Sequence, residues 1–198
     1  QAGAWIRPTR PFAARGTLRF TGGPLCRSVR RQGGRVEGAG LWRGKPMKTQ
    51  RIYLDTSVFG GCFDEEFAKE SLRLLAQIKA GKFRLVMSSA VLAELKGAPA
   101  CVRDEFEGIP KKLVETVRSN LEVEALKQAY LEAQVVGPAS ATDAEHIAIA
   151  TIARADMIVS WNFKHIVHYE KIAGYLSVNM RLGYGPIGFF SPKEVVSY

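Results

Sequence analysis

From Met47 to Tyr198, short apolar runs alternate with stretches whose apolar residues recur at helical spacing. Residues 52–55 are a β-branched and aromatic run ending in Asp55. Residues 64–79 carry Phe67, Leu72, Leu74, Leu75 and Ile78 near a helical period, and Gly81 stops it. Residues 83–87 predict a second strand, after which Ser88 or Ser89 caps a helix with Val91, Leu92 and Leu95, ended by Gly97 and Pro99. Residues 100–136 read as mostly helical, with breaks at 108–110 and near Ser119 and Asn120, and Gly137-Pro138 is a loop. A helix rich in Ala and Ile is expected over 142–153 and a third strand over 157–160. A helix reaching about Arg181 follows, then a last strand over 186–190 and a terminal turn opened by Ser191 and Pro192. The middle strands are apolar throughout, as when helices cover both faces of a parallel sheet. The alternating order, with right-handed crossovers, predicts an α/β fold.

The first 46 residues break this pattern. They hold nine Gly and four Pro, keep no helical or strand period for long, and contain nine Arg and one Lys against one acid, Glu37. The remaining residues balance eighteen bases against eighteen acids, so the whole formal charge of +9 lies in the first segment. Such a composition buries too little apolar surface to offset its ordering entropy and predicts disorder over 1–46. Met47 is a candidate true start, with the domain over 47–198. Trp42 is encoded TGG, and AGG at Arg43 would give GGAGG about nine nucleotides upstream, the form of a bacterial ribosome-binding site. The rival expectation is a basic nucleic-acid-binding arm. Three Cys without C-x-x-C spacing predict a reduced, intracellular protein with neither disulfide framework nor zinc ribbon. No apolar run approaches the roughly 20 residues that span a bilayer, so no membrane partner is expected.

In open parallel sheets, ligands bind beyond the carboxyl ends of the strands. Asp55 ends the first strand, Glu94 lies in the helix after the second, Asp143 starts the helix that feeds the third, and Asn162 follows that strand. Three carboxylates and an amide on one rim repel one another unless a cation sits among them. Mg²⁺ or Mn²⁺ suits such oxygen ligands and would assist in-line attack of water on a phosphodiester. Ser57 would orient Asp55 or a water. Each acid also has a plain structural reading. Asp55-Thr56-Ser57 is ordinary turn and N-cap chemistry, and Thr142 with Glu145 fits a capping box that would make Asp143 a helix-dipole residue. His146 shares the face of Asp143, either near the metal or as a hydrogen-bonded core residue. His165 and His168 lack zinc spacing.

YLDTSVFGG, SSAVLAEL, DAEHIAIATIA and IVSWNFKHI, in that order, resemble the PIN-domain ribonucleases, in particular VapC-type toxins of toxin–antitoxin pairs. The resemblance covers about Arg51 to Val196. It implies a three-layer α/β/α sandwich with a central, mostly parallel sheet, cytoplasmic location, and a metal-dependent endoribonuclease that hydrolyses single-stranded RNA. Asp55, Glu94 and Asp143 match the family's first three acids, as catalytic residues and ligands of Mg²⁺ or Mn²⁺. Asn162 stands where a fourth acid is usual, and with Ser57 it would support the ligands. A homodimer and an antitoxin protein partner are also implied. Lys164, Lys96 and Arg154 are candidates for phosphate contacts, though on a neutral body the commoner role is a solvated charge. Trp161 and Phe63 are candidates for base stacking, though aromatics beside a strand end are more often core. One rival keeps the fold but only binds RNA or a protein partner. A phosphatase- or flavodoxin-like enzyme is the other, but it wants a second Asp where Ser57 stands, or a richer phosphate loop than Gly60-Gly61.

Overall fold

A computed structural model describes residues 48–197, so the expectations for residues 1–46 and for Met47 lie outside the described residues. Five strands, β1 (Gln50–Leu54), β2 (Phe83–Ser88), β3 (Val114–Val117), β4 (Met157–Val159) and β5 (Gly188–Phe190), form one sheet in the order β3-β2-β1-β4-β5. Every pairing is parallel. Eight α-helices accompany them among the described residues: α1 (Thr56–Gly61), α2 (Ala68–Lys79), α3 (Ser89–Lys96), α4 (Ala100–Glu107), α5 (Leu121–Glu132), α6 (Ala141–Ile152), α7 (Tyr169–Arg181) and α8 (Pro192–Val196). No helix among these residues is long and apolar enough to cross a membrane.

Strand parity sorts the core into two layers. Ile52, Leu54, Leu85, Met87, Met157 and Val159 pack on one face with residues of α1 to α4 and α8. Tyr53, Val86, Ile158 and Phe189 point the other way, into residues of α5, α6 and α7. Successive side chains of a strand leave on opposite faces, so a run apolar at every position needs helices on both. The result is a three-layer α/β/α sandwich. Behind the sheet, Tyr130 of α5 donates to Asn179 Oδ1 of α7 at 2.5 Å, and Asn179 Nδ2 donates to Thr151 of α6 at 3.3 Å. This buried relay ties the carboxyl-terminal ends of three helices together.

Several local expectations are corrected. The small-residue loop after Asp55 is a helix, α1, despite Gly60 and Gly61. Val114–Val117 is an edge strand within the region read as helical; its V-E-T-V alternation is strand-like but only four residues long. Residues 64–67 form turns before α2 begins at Ala68, where Ala68 N–H donates to the Asp64 carbonyl. Ser140, not Thr142, holds the N-cap position of α6, and its side chain makes no capping bond. Ser191 and Glu194 do form a capping box, at the start of α8. At the amino ends of the strands, the Arg51 guanidinium binds Glu115 at 2.6 Å and the carbonyls of Ala153 and Arg154 at 2.6 and 2.9 Å. Arg154 therefore lies on the rim opposite the acids, which removes it from the phosphate-contact candidates.

Gly61 ends α1 where no side chain fits. A Cβ there would lie 2.8 Å from both Ser71 Oγ and Trp161 Nε1, which are hydrogen-bonded to each other at 2.8 Å. Both partners are buried, so neither can step aside cheaply. Gly61→Ala is expected to cost about 1–3 kcal/mol in urea unfolding. Gly185→Ala, where a Cβ meets nothing within 4 Å, should stay within about 0.5 kcal/mol of wild type. Equal midpoints for the two variants would contradict this packing.

Candidate active site

Strand order 3-2-1-4-5 reverses between β1 and β4, the topological switch point where open α/β sheets bind ligands. In the register of that pair Leu54 lies beside Val159, so the next residues, Asp55 and Ser160, leave the sheet as neighbours. Asp55 continues the extended backbone (φ −89°, ψ 173°) as N-cap residue of α1. Its side chain therefore leaves on the Tyr53 face, toward α6.

Both oxygens of Asp55 are held by hydroxyls. Ser57 donates to Oδ1 at 2.6 Å and Ser160 to Oδ2 at 2.7 Å. Backbone N–H groups fix the hydroxyls in turn: Trp161 donates to Ser57 Oγ at 3.0 Å and Asn162 to Ser160 Oγ at 2.9 Å. Asp143, in the first turn of α6, accepts from Asn162 Nδ2 at 2.8 Å, and the amide's Oδ1 accepts from the His165 N–H at 3.0 Å. An aspartate at 162 would replace that donation by repulsion. Asn162 thus orients Asp143 rather than adding charge.

Asp55 is only 5% exposed. Burial raises its pKa above the ordinary carboxylate range, against the pull of the Ser57 hydroxyl, His146 and Ser160. Burial raises Asp143 as well; His146, Lys171 and Asn162 oppose the shift, and the charge of Asp55 adds to it. Two carboxylates thus share a poorly solvated corner without full compensation. His146 is buried, and its Nδ1 lies 2.8 Å from the Tyr53 hydroxyl. The core-histidine expectation holds, while its charge still acts on both acids.

Glu94 is exposed on α3 and makes no side-chain hydrogen bond or ion pair among the described residues. Its charge is felt at the buried Tyr53 phenol together with those of Asp55 and Glu145. Lys96 is exposed in the last turn of α3. Trp161 is core rather than a stacking platform, buried against Phe67 with ring centroids 4.4 Å apart. Phe63 is 51% exposed. Sequence reasoning missed Ser160 and Lys171. Ser160 was findable as the residue in register with Asp55, but only once the β1–β4 pairing was known.

Among the described residues no three His, Cys, Asp or Glu side chains come together as a ready metal site. The donors that do converge are two carboxylates framed by hydroxyls and an amide. That set fits Mg²⁺ or Mn²⁺, which bind through one or two carboxylates, substrate phosphates and retained waters. Its oxygen donors suit zinc less well, since zinc sites draw chiefly on Cys and His ligands. No protein-family model matches the chain, and no curated protein matches it.

The acids carry a stability signature. A carboxyl whose folded pKa is raised binds its proton more firmly in the folded state, so stability falls as pH rises through that pKa. In EDTA at about pH 8, Asp55→Asn should be more stable than wild type by on the order of 1 kcal/mol, since the serine hydroxyls can turn to suit an amide. The gap should close toward about pH 4, near the unfolded carboxyl value. Thermal unfolding across pH reads this, and a variant less stable than wild type at alkaline pH would refute it.

Proposed function

We propose that the chain is a metal-dependent endoribonuclease acting on single-stranded RNA, as the toxin of a toxin–antitoxin pair. The observation that carries this reading is the convergence of Asp55 and Asp143, both with raised pKa, at the switch point of a parallel sheet. Four motifs resembling PIN-domain ribonucleases support the substrate class, the homodimer and the antitoxin partner. In this reading Asp55 and Asp143 hold Mg²⁺ or Mn²⁺. The cation would neutralise charge on the phosphodiester and make water a better nucleophile.

The chain's own residues do the positioning. Ser57 and Ser160 fix both oxygens of Asp55, and Asn162 fixes one oxygen of Asp143, so neither carboxylate must reorganise when substrate arrives. Glu94, exposed on α3, is the third carboxylate in this reading, on the strength of the resemblance. The second reading, a PIN-like domain that binds RNA without cutting, is favoured by the amide at 162, which brings no negative charge to the metal.

Cleavage of a mixed single-stranded RNA with Mn²⁺ or Mg²⁺, compared with EDTA, separates the two. Asp55→Ala and Asp143→Ala are expected to lose about a hundredfold or more. Asn162→Ala should lose roughly 10–100-fold, as typical for residues that orient ligands. A folded protein that binds RNA and never cuts it, with metal supplied, supports the second reading.

A further inference from the structure

Lys171 lies on the first turn of α7, partly buried, on the Asp143 side of the acidic pair. Its ammonium is 2.7 Å from His165 Nδ1. The His165 backbone is held at both ends: its N–H donates to Asn162 Oδ1 at 3.0 Å, and its carbonyl accepts from the Tyr175 hydroxyl at 3.1 Å. Lys171 is thus tied to the His165 ring, and the His165 backbone is tied through Asn162 to Asp143. Burial, followed by the charges of Lys171, Lys164 and His168, lowers the His165 pKa. The imidazole is then neutral at pH 7 and offers Nδ1 as acceptor to the ammonium.

Nothing in the helix itself calls for a cation at that place. The first turn carries the positive end of the helix dipole, which disfavours Lys. Among the described residues no carboxylate lies within 4.0 Å of Lys171; burial lowers its pKa, against the pull of Asp143 and with the help of Lys164. The ammonium carries three N–H donors, and among the described residues only His165 takes one, which leaves two to serve an anion. An RNA strand approaching Asp55 and Asp143 meets two negative charges in a poorly solvated corner, and a fixed cation beside them offsets that repulsion.

We propose that Lys171, positioned by His165, contacts a phosphate of the RNA strand beside the acidic pair. This rests on the RNA-directed reading of the site. His165 is a positioning residue and touches no phosphate itself. Lys164 is exposed next to the pair and adds to the local positive potential.

Fluorescence anisotropy with a single-stranded RNA oligonucleotide, the full chain and EDTA, between about 50 and 200 mM salt, tests this. The basic residues of the first 46 are common to every variant and cancel in the comparison. Lys171→Ala should bind about tenfold more weakly, and its slope of log affinity against log salt should be shallower by about 0.7. Lys171→Arg should restore most of both. His165→Ala should weaken binding severalfold while keeping the slope, because the charge stays. Lys193→Ala, an exposed charge on α8, should change neither. Wild-type affinity and slope in Lys171→Ala, an arginine variant as weak as the alanine, or no RNA binding by wild type would each overturn the assignment. Cutting is scored separately with Mn²⁺. A wild type that binds with a Lys171-dependent slope but does not cut would remove the nuclease reading and leave the contact standing.

Discussion

Everything distinctive about this chain depends on how β1 pairs with β4. The pairing is parallel and in a register that sets Leu54 against Val159. A one-residue slip would turn every side chain of β4 to the other face and carry Ser160 away from Asp55. The register is fixed because both faces are buried, each by its own set of helices. The same burial removes water from the corner where the strands end. Packing therefore positions the carboxylates and also makes their ionised forms costly.

The surrounding polar groups answer that cost without cancelling it. Hydroxyls of Ser57 and Ser160 and the amide of Asn162 satisfy hydrogen-bonding needs, which is the condition for keeping polar groups in such a place. They bring no positive charge. His146 and Lys171 contribute some, yet both acids still have raised pKa values. A site that leaves negative charge uncompensated is poised for a cation and for a phosphate brought with it. The ribonuclease proposal and the phosphate contact assigned to Lys171 share that one electrostatic premise.

Much of the architecture was readable from the sequence because apolar runs and helical periods are local signals. The strands that carry the central pairing were found nearly in place, and Ser88 was identified as a helix cap, which it is, accepting from the Val91 N–H at 3.1 Å. The misses have physical causes. Helix α1 is built from residues of poor helix propensity, and burial of Val58 and Phe59 in the core overrides that preference. Strand β3 is too short for its alternation to stand out. At the site, Asp55, Ser57, Asp143 and Asn162 were expected to meet, and they do. Glu94 lies exposed on α3, and its charge reaches the same Tyr53 phenol as that of Asp55. Lys171 lies outside every motif and enters only through the turn between β4 and α7.

The account stands on Asp55 and Asp143 forming a cation-binding pair. Crystals soaked in Mn²⁺ and measured at a wavelength that brings out manganese anomalous scattering test this most directly. A peak within coordination distance of both carboxylates is the predicted result. An empty corner with Mn²⁺ bound elsewhere, or a peak held by Glu94 without Asp143, would contradict it.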